Sequence, residues 1–350
     1  MTTRRVLVCA DSRVYAADLS RMLEYDGDIT VAAVCGTARE AIAALPRVKP
    51  DLVTVDLELP GTDGMTAIEE IMSSRPLPIL MLSSHVEAGS EEAAAALATA
   101  ALAAGALDAI AKDDLDLHDP AGPAGVAFRR RIRVLSRAHV IRHLRPGLKP
   151  GPGHRGLVRR VSVIGICAST GGPQVLARLL GALPAGYPIP IMIVQHIGAG
   201  FTGALVRWLD MSVQLPVALA SGGRPACPGA WIAPEGAHLK LTEAGMLSLD
   251  RRTLAGRHRP SGDVLFESIA AAAGRAGVAI VLTGIGADGA AGAAAVRGRG
   301  GLAIAQDKES SAVHGMPKAA IDRGVDVVLS PAEIANYLLG LSHEPFPVLR

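Results

Sequence analysis

Apolar, β-branched runs recur about every 25 residues along the first third of the chain, at 6–9, 29–34, 52–55, 79–82 and 107–111. Between them, apolar side chains such as Val14, Leu19, Met22 and Leu23, or Ala67, Ile68, Ile71 and Met72, follow helical spacing. Uninterrupted apolar strands alternating with amphipathic helices bury both sheet faces only as a parallel sheet between helix layers. The pattern predicts five βα units with right-handed crossovers, a flavodoxin-like α/β fold. A second α/β pattern starts after Val161, with strands in VSVIGIC, IPIMIVQH and VAIVL. It predicts a doubly wound, mainly parallel sheet. At 350 residues the chain is long enough for two such domains.

Charge divides the chain further. Residues 1–120 carry a net −11, residues 121–160 a net +11 and the remainder +2. The basic segment begins as a possible helix and ends in the Pro/Gly-rich run PGLKPGPGHRG (146–156), which cannot hold regular structure. It reads as a linker over 121–157. Such a run could bind nucleic acid or a membrane surface; the favoured reading is that it faces the acidic first domain or an acidic protein partner within a Debye length of about 8–10 Å. With 49% apolar and 19% charged residues the chain is folded, and 3% aromatics leave few platforms for stacking single-stranded nucleic acid. Cys9, Cys35, Cys167 and Cys227 are far apart and read as buried thiols of a reducing compartment. Asp11 falls too early for a secretory signal, and the uncharged apolar, mostly alanine stretch 93–107 is too short to span a bilayer. A cytoplasmic protein is expected.

In a parallel sheet the site lies beyond the carboxyl ends of the strands. Asp11, Asp56, Ser83 and Lys112 end strands one, three, four and five and therefore share one rim. Two carboxylates, a hydroxyl and a lysine suit an oxygen-liganded Mg²⁺ beside a carboxylate that accepts a phosphoryl group. Taken singly, Asp11 also suits a helix cap and Asp56 a turn before Pro60-Gly61. The strings ADSR (10–13), DLVTVDLELPGTDGM (51–65), MLSS (81–84) and AGALDAIAK (104–112) resemble the receiver domain of two-component response regulators. The resemblance implies Asp56 as phospho-acceptor, Asp11 and Asp56 as Mg²⁺ ligands, Ser83 as switch hydroxyl, Lys112 as its lysine partner, and a histidine kinase as phosphodonor. Ala10 stands where receivers carry another acid, which should weaken Mg²⁺ binding. Asp113 stands where they carry proline, and Ala109 where they carry an aromatic.

In the second half Ser169 follows a strand at a Gly-rich corner, His196 ends the next strand, and Asp288 lies in a glycine-bent loop after 279–282. A hydroxyl, an imidazole and a carboxylate at one sheet edge suit nucleophilic catalysis, with backbone N–H groups at the helix start facing an oxyanion. A rival reading takes Gly284-x-Gly286-x-x-Gly289, with Asp307 eighteen residues on, as a dinucleotide fingerprint. A second rival, a non-enzymatic transcriptional regulator, lacks a basic helix-turn-helix. The strings GICASTGGP (165–173), VQHIGAGFT (194–202), APEGAHL (233–239), HRPSGDVLFESIA (258–270), LTGIGADGAAG (282–292) and AQDKESSAVHGMP (305–317) resemble the catalytic domain of bacterial chemotaxis protein-glutamate methylesterases, the CheB family. With the receiver, the resemblance implies a receiver over 1–120 and a methylesterase domain over 158–345. It implies Ser169, His196 and Asp288 as triad and the amides of Thr170 and Ile285 as oxyanion hole. Gly198 replaces the family's proline. The implied reaction is demethylation of glutamate esters, and deamidation of glutamines, on chemoreceptor cytoplasmic helices, without a metal in the esterase step, without nucleic acid and without membrane insertion. The Asp263 block and Gln306-Asp307 read as pocket or packing positions. The acidic receiver is expected to act as a lid released by phosphorylation.

Overall fold

In the computed structural model, which describes residues 3–59, 64–83, 99–138, 140, 159–253, 258–343 and 346, the chain divides into two units. One comprises residues 1–144 with 197–204, the other 145–196 with 205–350. The Pro60-Gly61 turn and the run 146–156 lie outside the described residues.

The first unit runs β1 (Arg4–Cys9), α1 (Arg13–Glu24), β2 (Ile29–Cys35), α2 (Ala38–Val48), β3 (Leu52–Asp56), α3 (Gly64–Ser74), β4 (Ile79–Ser83), α4 (described over 99–104), β5 (Asp108–Ala111) and α5 (Pro123–Leu135). The strands lie in the order β2-β1-β3-β4-β5, all parallel. Small polar residues start the helices as the caps require: Ser12 Oγ accepts the Tyr15 N–H, and Thr37 Oγ1 the Glu40 N–H.

The linker boundary at 121 needs correction, because residues 123–135 form a helix of this unit. Phe128, Ile132 and Leu135 are buried on one face of α5. The Arg129 guanidinium is buried with them and grips Asp26 through Nε and Nη2 at 2.7 and 3.1 Å, while Nη1 donates to the Pro120 carbonyl at 2.7 Å. Arg133 Nε pairs with Asp28 at 2.7 Å and Arg131 Nε with Asp108 at 2.8 Å. The apolar spacing at i, i+4 and i+7 packs this basic segment as a helix, and its arginines face carboxylates of the acidic first unit, which neutralise them. Replacing Asp26 with alanine strands a buried guanidinium. Such losses cost about 3–5 kcal/mol when both partners are buried. Asp26 is 36% exposed, so about 2–3 kcal/mol is expected, read as a lowered denaturant midpoint for this unit.

The second unit runs β6 (Arg160–Val161), β7 (Val163–Ala168), α6 (Gly172–Gly181), β8 (Ile191–Gln195), α7 (Thr202–Ser212), β9 (Val217–Leu219), β10 (Ala230–Ile232), β11 (His238–Leu241), β12 (Leu247–Asp250), α8 (Gly262–Ala273), β13 (Gly277–Val281), α9 (Ala290–Gly298), β14 (Leu302–Gln306), α10 (Gly315–Asp322), β15 (Val327–Leu329), α11 (Pro331–Leu339) and β16 (Ser342–His343). Seven strands form a parallel sheet in the order β15-β14-β13-β7-β8-β10-β9. The chain leaves β7 toward β8 on one side and later returns to β13 on the other. The carboxyl end of β7 is therefore the topological switch point, where open α/β sheets bind ligands. Val163, Cys167, Val194 and Val281 pack with Leu265, Phe266 and Ile269 of α8 and Val296 of α9 in one core. Among the described residues no helix is long and apolar enough to cross a membrane.

Candidate active site

Ala168 ends β7, Gln195 ends β8, and the two are paired in register. Ser169 and His196 are thus the next positions on adjacent parallel strands, whose backbones lie about 4.8 Å apart. The His196 N–H donates to the Ala168 carbonyl at 2.9 Å, and the Ser169 N–H to the Thr283 carbonyl at 3.0 Å, which ties the serine to the end of β13. Gly171 follows in the left-handed region at φ 74°, where an L side chain is strained; an added Cβ would also lie 2.7 Å from Ala312 Cβ. Thr170 is buried at this corner, and Ile285 is half-buried on the loop after β13.

Gln195 supplies a positioning element the sequence reading left without a role. It is buried, and its Nε2 donates to the carbonyls of both Ser169 and His196 at 2.8 Å. Gln195→Leu removes both bonds and leaves the two strand ends to drift. Misplacement of about 1 Å costs on the order of 100-fold in rate, so kcat of any reaction at this corner should fall by about that factor with the fold intact by circular dichroism.

Asp288 Oδ2 lies 2.8 Å from His196 Nε2. The start of α8 is folded onto the same carboxylate. Ser261 Oγ donates to Oδ1 at 2.8 Å, Asp263 N to Oδ1 at 3.1 Å and Gly262 N to Oδ2 at 2.6 Å. Burial alone would raise this carboxyl's pKa, but the His196 imidazole, the Gly262 amide and the Ser261 hydroxyl hold it well below the usual carboxylate range. A carboxylate seated on a helix N-terminus is also favoured by the helix dipole. The ring of His258 stacks on that of His196 with centroids 4.4 Å apart and planes inclined by 19°.

Cys167 completes a cluster that the sequence reading missed. Its Sγ is buried, 3.8 Å from Asp288 Oδ2. Burial, followed by the charge of Asp288, pushes this thiol well above its ordinary pKa. A protonated, enclosed thiol is a poor nucleophile.

In the first unit Asp56 is buried at the end of β3, and Lys112 Nζ lies 2.6 Å from its Oδ2 and 3.2 Å from Glu58 Oε2. Burial raises the Asp56 pKa against the opposing pull of Lys112. Burial alone would lower that of Lys112, but the Asp56 and Glu58 carboxylates carry it above its usual value. Ser83 is buried at the end of β4, paired in register with Ala111. Asp11 is exposed beyond β1 and accepts the Ser12 N–H at 2.7 Å; Ser12, not Asp11, caps the following helix.

Comparison with known proteins gives this geometry a family. Residues 164–338 match the family model described as CheB methylesterase, and residues 6–118 match the response regulator receiver domain. The chain is 40% identical over 340 residues to protein-glutamate methylesterase/protein-glutamine glutaminase 2 of Anaeromyxobacter dehalogenans, covering 97% of each chain. The chain belongs to the CheB methylesterase family. A Myxococcus xanthus relative, protein-glutamate methylesterase/protein-glutamine glutaminase 4, is 34% identical over 91% of this chain and 90% of its own. The crystal structure of the Thermotoga maritima CheB methylesterase catalytic domain is 38% identical and covers 51% of this chain and 97% of that domain, with a TM-score of 0.49.

The remaining motifs of this CheB family member make contacts within the fold. Gly284 is required because the loop passes against the Ser169 corner: an added Cβ would lie 2.7 Å from Ser169 Cβ. The Asp307 carboxylate is engaged by the N–H and hydroxyl of Ser310 within its own turn. A dinucleotide reading needs that carboxylate free for ribose. Gln306 is buried, accepting the Thr283 N–H and donating to the Ser310 carbonyl, each at 2.8 Å. Asp263 binds the Gly292 N–H at 2.8 Å and so joins α8 to α9.

Proposed function

We propose that the chain demethylates glutamate methyl esters, and deamidates glutamines, on the cytoplasmic helices of chemoreceptors, under control of its phosphorylated receiver. The observation that carries this reading is the His196 imidazole, held 2.8 Å from the Asp288 carboxylate at the switch point beside Ser169. With Nε2 turned to Asp288, Nδ1 is the nitrogen left for the serine hydroxyl. It takes the Ser169 proton as Oγ attacks the ester carbonyl, and the Asp288 charge stabilises the imidazolium. The amides of Thr170 and Ile285 receive the tetrahedral oxyanion; such donors contribute about 3–4 kcal/mol each. The imidazolium protonates the departing methoxide, methanol leaves, and water attacks the acyl-enzyme by the same route in reverse. A glutamine side chain follows the same path with ammonia as leaving group.

Asp56 is the phospho-acceptor, with Ser83 and Lys112 holding the phosphoryl oxygens and a histidine kinase supplying the group. Asp11 and Asp56 offer the oxygen donors that suit Mg²⁺, while the buried methyl of Ala10 offers none. Mg²⁺ when bound would neutralise charge on the phosphoryl oxygens. The reaction takes place in the cytoplasm, without nucleic acid and without membrane insertion. Methanol release from methylated receptor membranes, with and without Mg²⁺ and a small phosphodonor, tests both halves. Release that rises with donor plus Mg²⁺, and does not rise in Asp56→Asn, supports the reading. No methanol in any condition sinks the esterase, and equal stimulation of Asp56→Asn sinks the switch.

A further inference from the structure

We propose that Cys167, His196 and Asp288 form a Zn²⁺ site whose occupation switches the esterase off. One sulfur, one ring nitrogen and one carboxylate oxygen from these residues all lie within 4.8 Å of one another, the only such group among the described residues. A tetrahedral Zn²⁺ with bonds of about 2.0–2.3 Å separates its ligand atoms by roughly 3.3–3.8 Å. Cys167 Sγ and Asp288 Oδ2 already stand 3.8 Å apart. The 2.8 Å approach of His196 Nε2 to Oδ2 must widen, by roughly half an ångström, and the sulfur, within 4.8 Å of the imidazole nitrogen, must settle in the same range from it.

The surroundings suit a metal as well as the ligands do. Asp288 is oriented by the Ser261 hydroxyl and the Gly262 and Asp263 amides, the kind of outer shell that holds a ligating carboxylate in place. Cys167 is enclosed, whereas the His196 and Asp288 side chains are 12% and 9% exposed, so a fourth, open position falls on their side. The thiolate selects Zn²⁺ over the hard cations Mg²⁺ and Ca²⁺. On binding, the Cys167 thiol loses its proton to solvent. Neutral His196 carries its single proton on Nδ1 and gives its Nε2 lone pair to the metal. One proton is released per ion, and affinity rises with pH. An imidazole protonated on Nδ1 and metallated on Nε2 has no lone pair for the Ser169 proton. This inhibition rests on the reading of His196 as the base; metal binding itself does not.

The test uses the full chain carrying Cys227→Ser, which removes the exposed thiol, with Co²⁺ as spectroscopic probe. One equivalent should give a thiolate-to-metal charge-transfer band and the intense visible bands of a four-coordinate ion, both bleached by Zn²⁺. Zn²⁺ should arrest methanol release, and a chelator should restore it. With Cys167→Ala added, the charge-transfer band should vanish. Zn²⁺ sensitivity, measured against that variant's own metal-free rate, should weaken by more than the ~100-fold typical of losing an outer-shell partner. Absence of the band, or equal Zn²⁺ sensitivity in both proteins, overturns the proposal. A Cys167-dependent band with undiminished methanol release overturns the inhibition and the assignment of His196 as base, while the metal site stands.

Discussion

Ser169→Ala should lower kcat for methanol release by about a millionfold, the scale at which a triad loses its nucleophile. What remains would come from the oxyanion amides and substrate binding, on the order of 10³–10⁴ over water. The fold should be unchanged. The contacts that hold this corner belong to the Ser169 backbone, whose N–H donates to Thr283 and whose carbonyl accepts from Gly172 N and Gln195 Nε2. The same measurement separates Ser169 from Cys167, which also lies beside the histidine and carboxylate. Burial and the Asp288 charge keep the Cys167 thiol protonated, so Cys167→Ala should retain turnover while Ser169→Ala does not. The reverse result would make the thiol the nucleophile.

Asp288→Asn should cost about 10⁴-fold in kcat, because an amide no longer fixes the histidine tautomer or stabilises imidazolium. It should also destabilise the esterase unit. Both carboxylate oxygens accept hydrogen bonds, and wherever the amide NH₂ points it meets the Gly262 N–H or the Ser261 hydroxyl and Asp263 N–H. The pH dependence has a definite sign. A carboxyl held below its ordinary pKa contributes stability that is present above the unfolded value, about 4. That stability is lost as pH falls through the depressed folded value. Urea midpoints of the wild type should therefore fall on acidification below about pH 4, and those of Asp288→Asn should fall less. Parallel curves would show that the carboxylate is not stabilised by its setting.

The placement of polar residues at strand ends is legible because a parallel sheet leaves few choices. Buried apolar runs identify the strands, and whatever polar residue follows each run must sit on the same rim as the others. That logic reached Asp56, Ser83, Lys112, Ser169 and His196 from pattern alone. It missed Cys167, which lies within a strand, 121 positions from its carboxylate partner; no local spacing encodes that contact. The N-terminus of α8 was more accessible. Ser261 before an apolar helix is an ordinary cap signal, but the same residue also serves a carboxylate from another loop. For α5 the charge of the arginines outweighed the helical spacing of Phe128, Ile132 and Leu135, and the linker was drawn too early. For Asp307 an eighteen-residue offset suggested a ribose ligand where the chain makes a local turn.

The strand order also sets when a newly made molecule becomes active. The serine and histidine emerge from the ribosome on consecutive strands, but the central place next to β7 waits for β13, made more than a hundred residues later. A nascent chain released or stalled before that point holds Ser169 and His196 without the Asp288 carboxylate that the imidazole contacts. Synthesis therefore delivers the whole five-stranded sheet of the first unit before any strand of the second, and the Asp288 carboxylate long after Ser169 and His196.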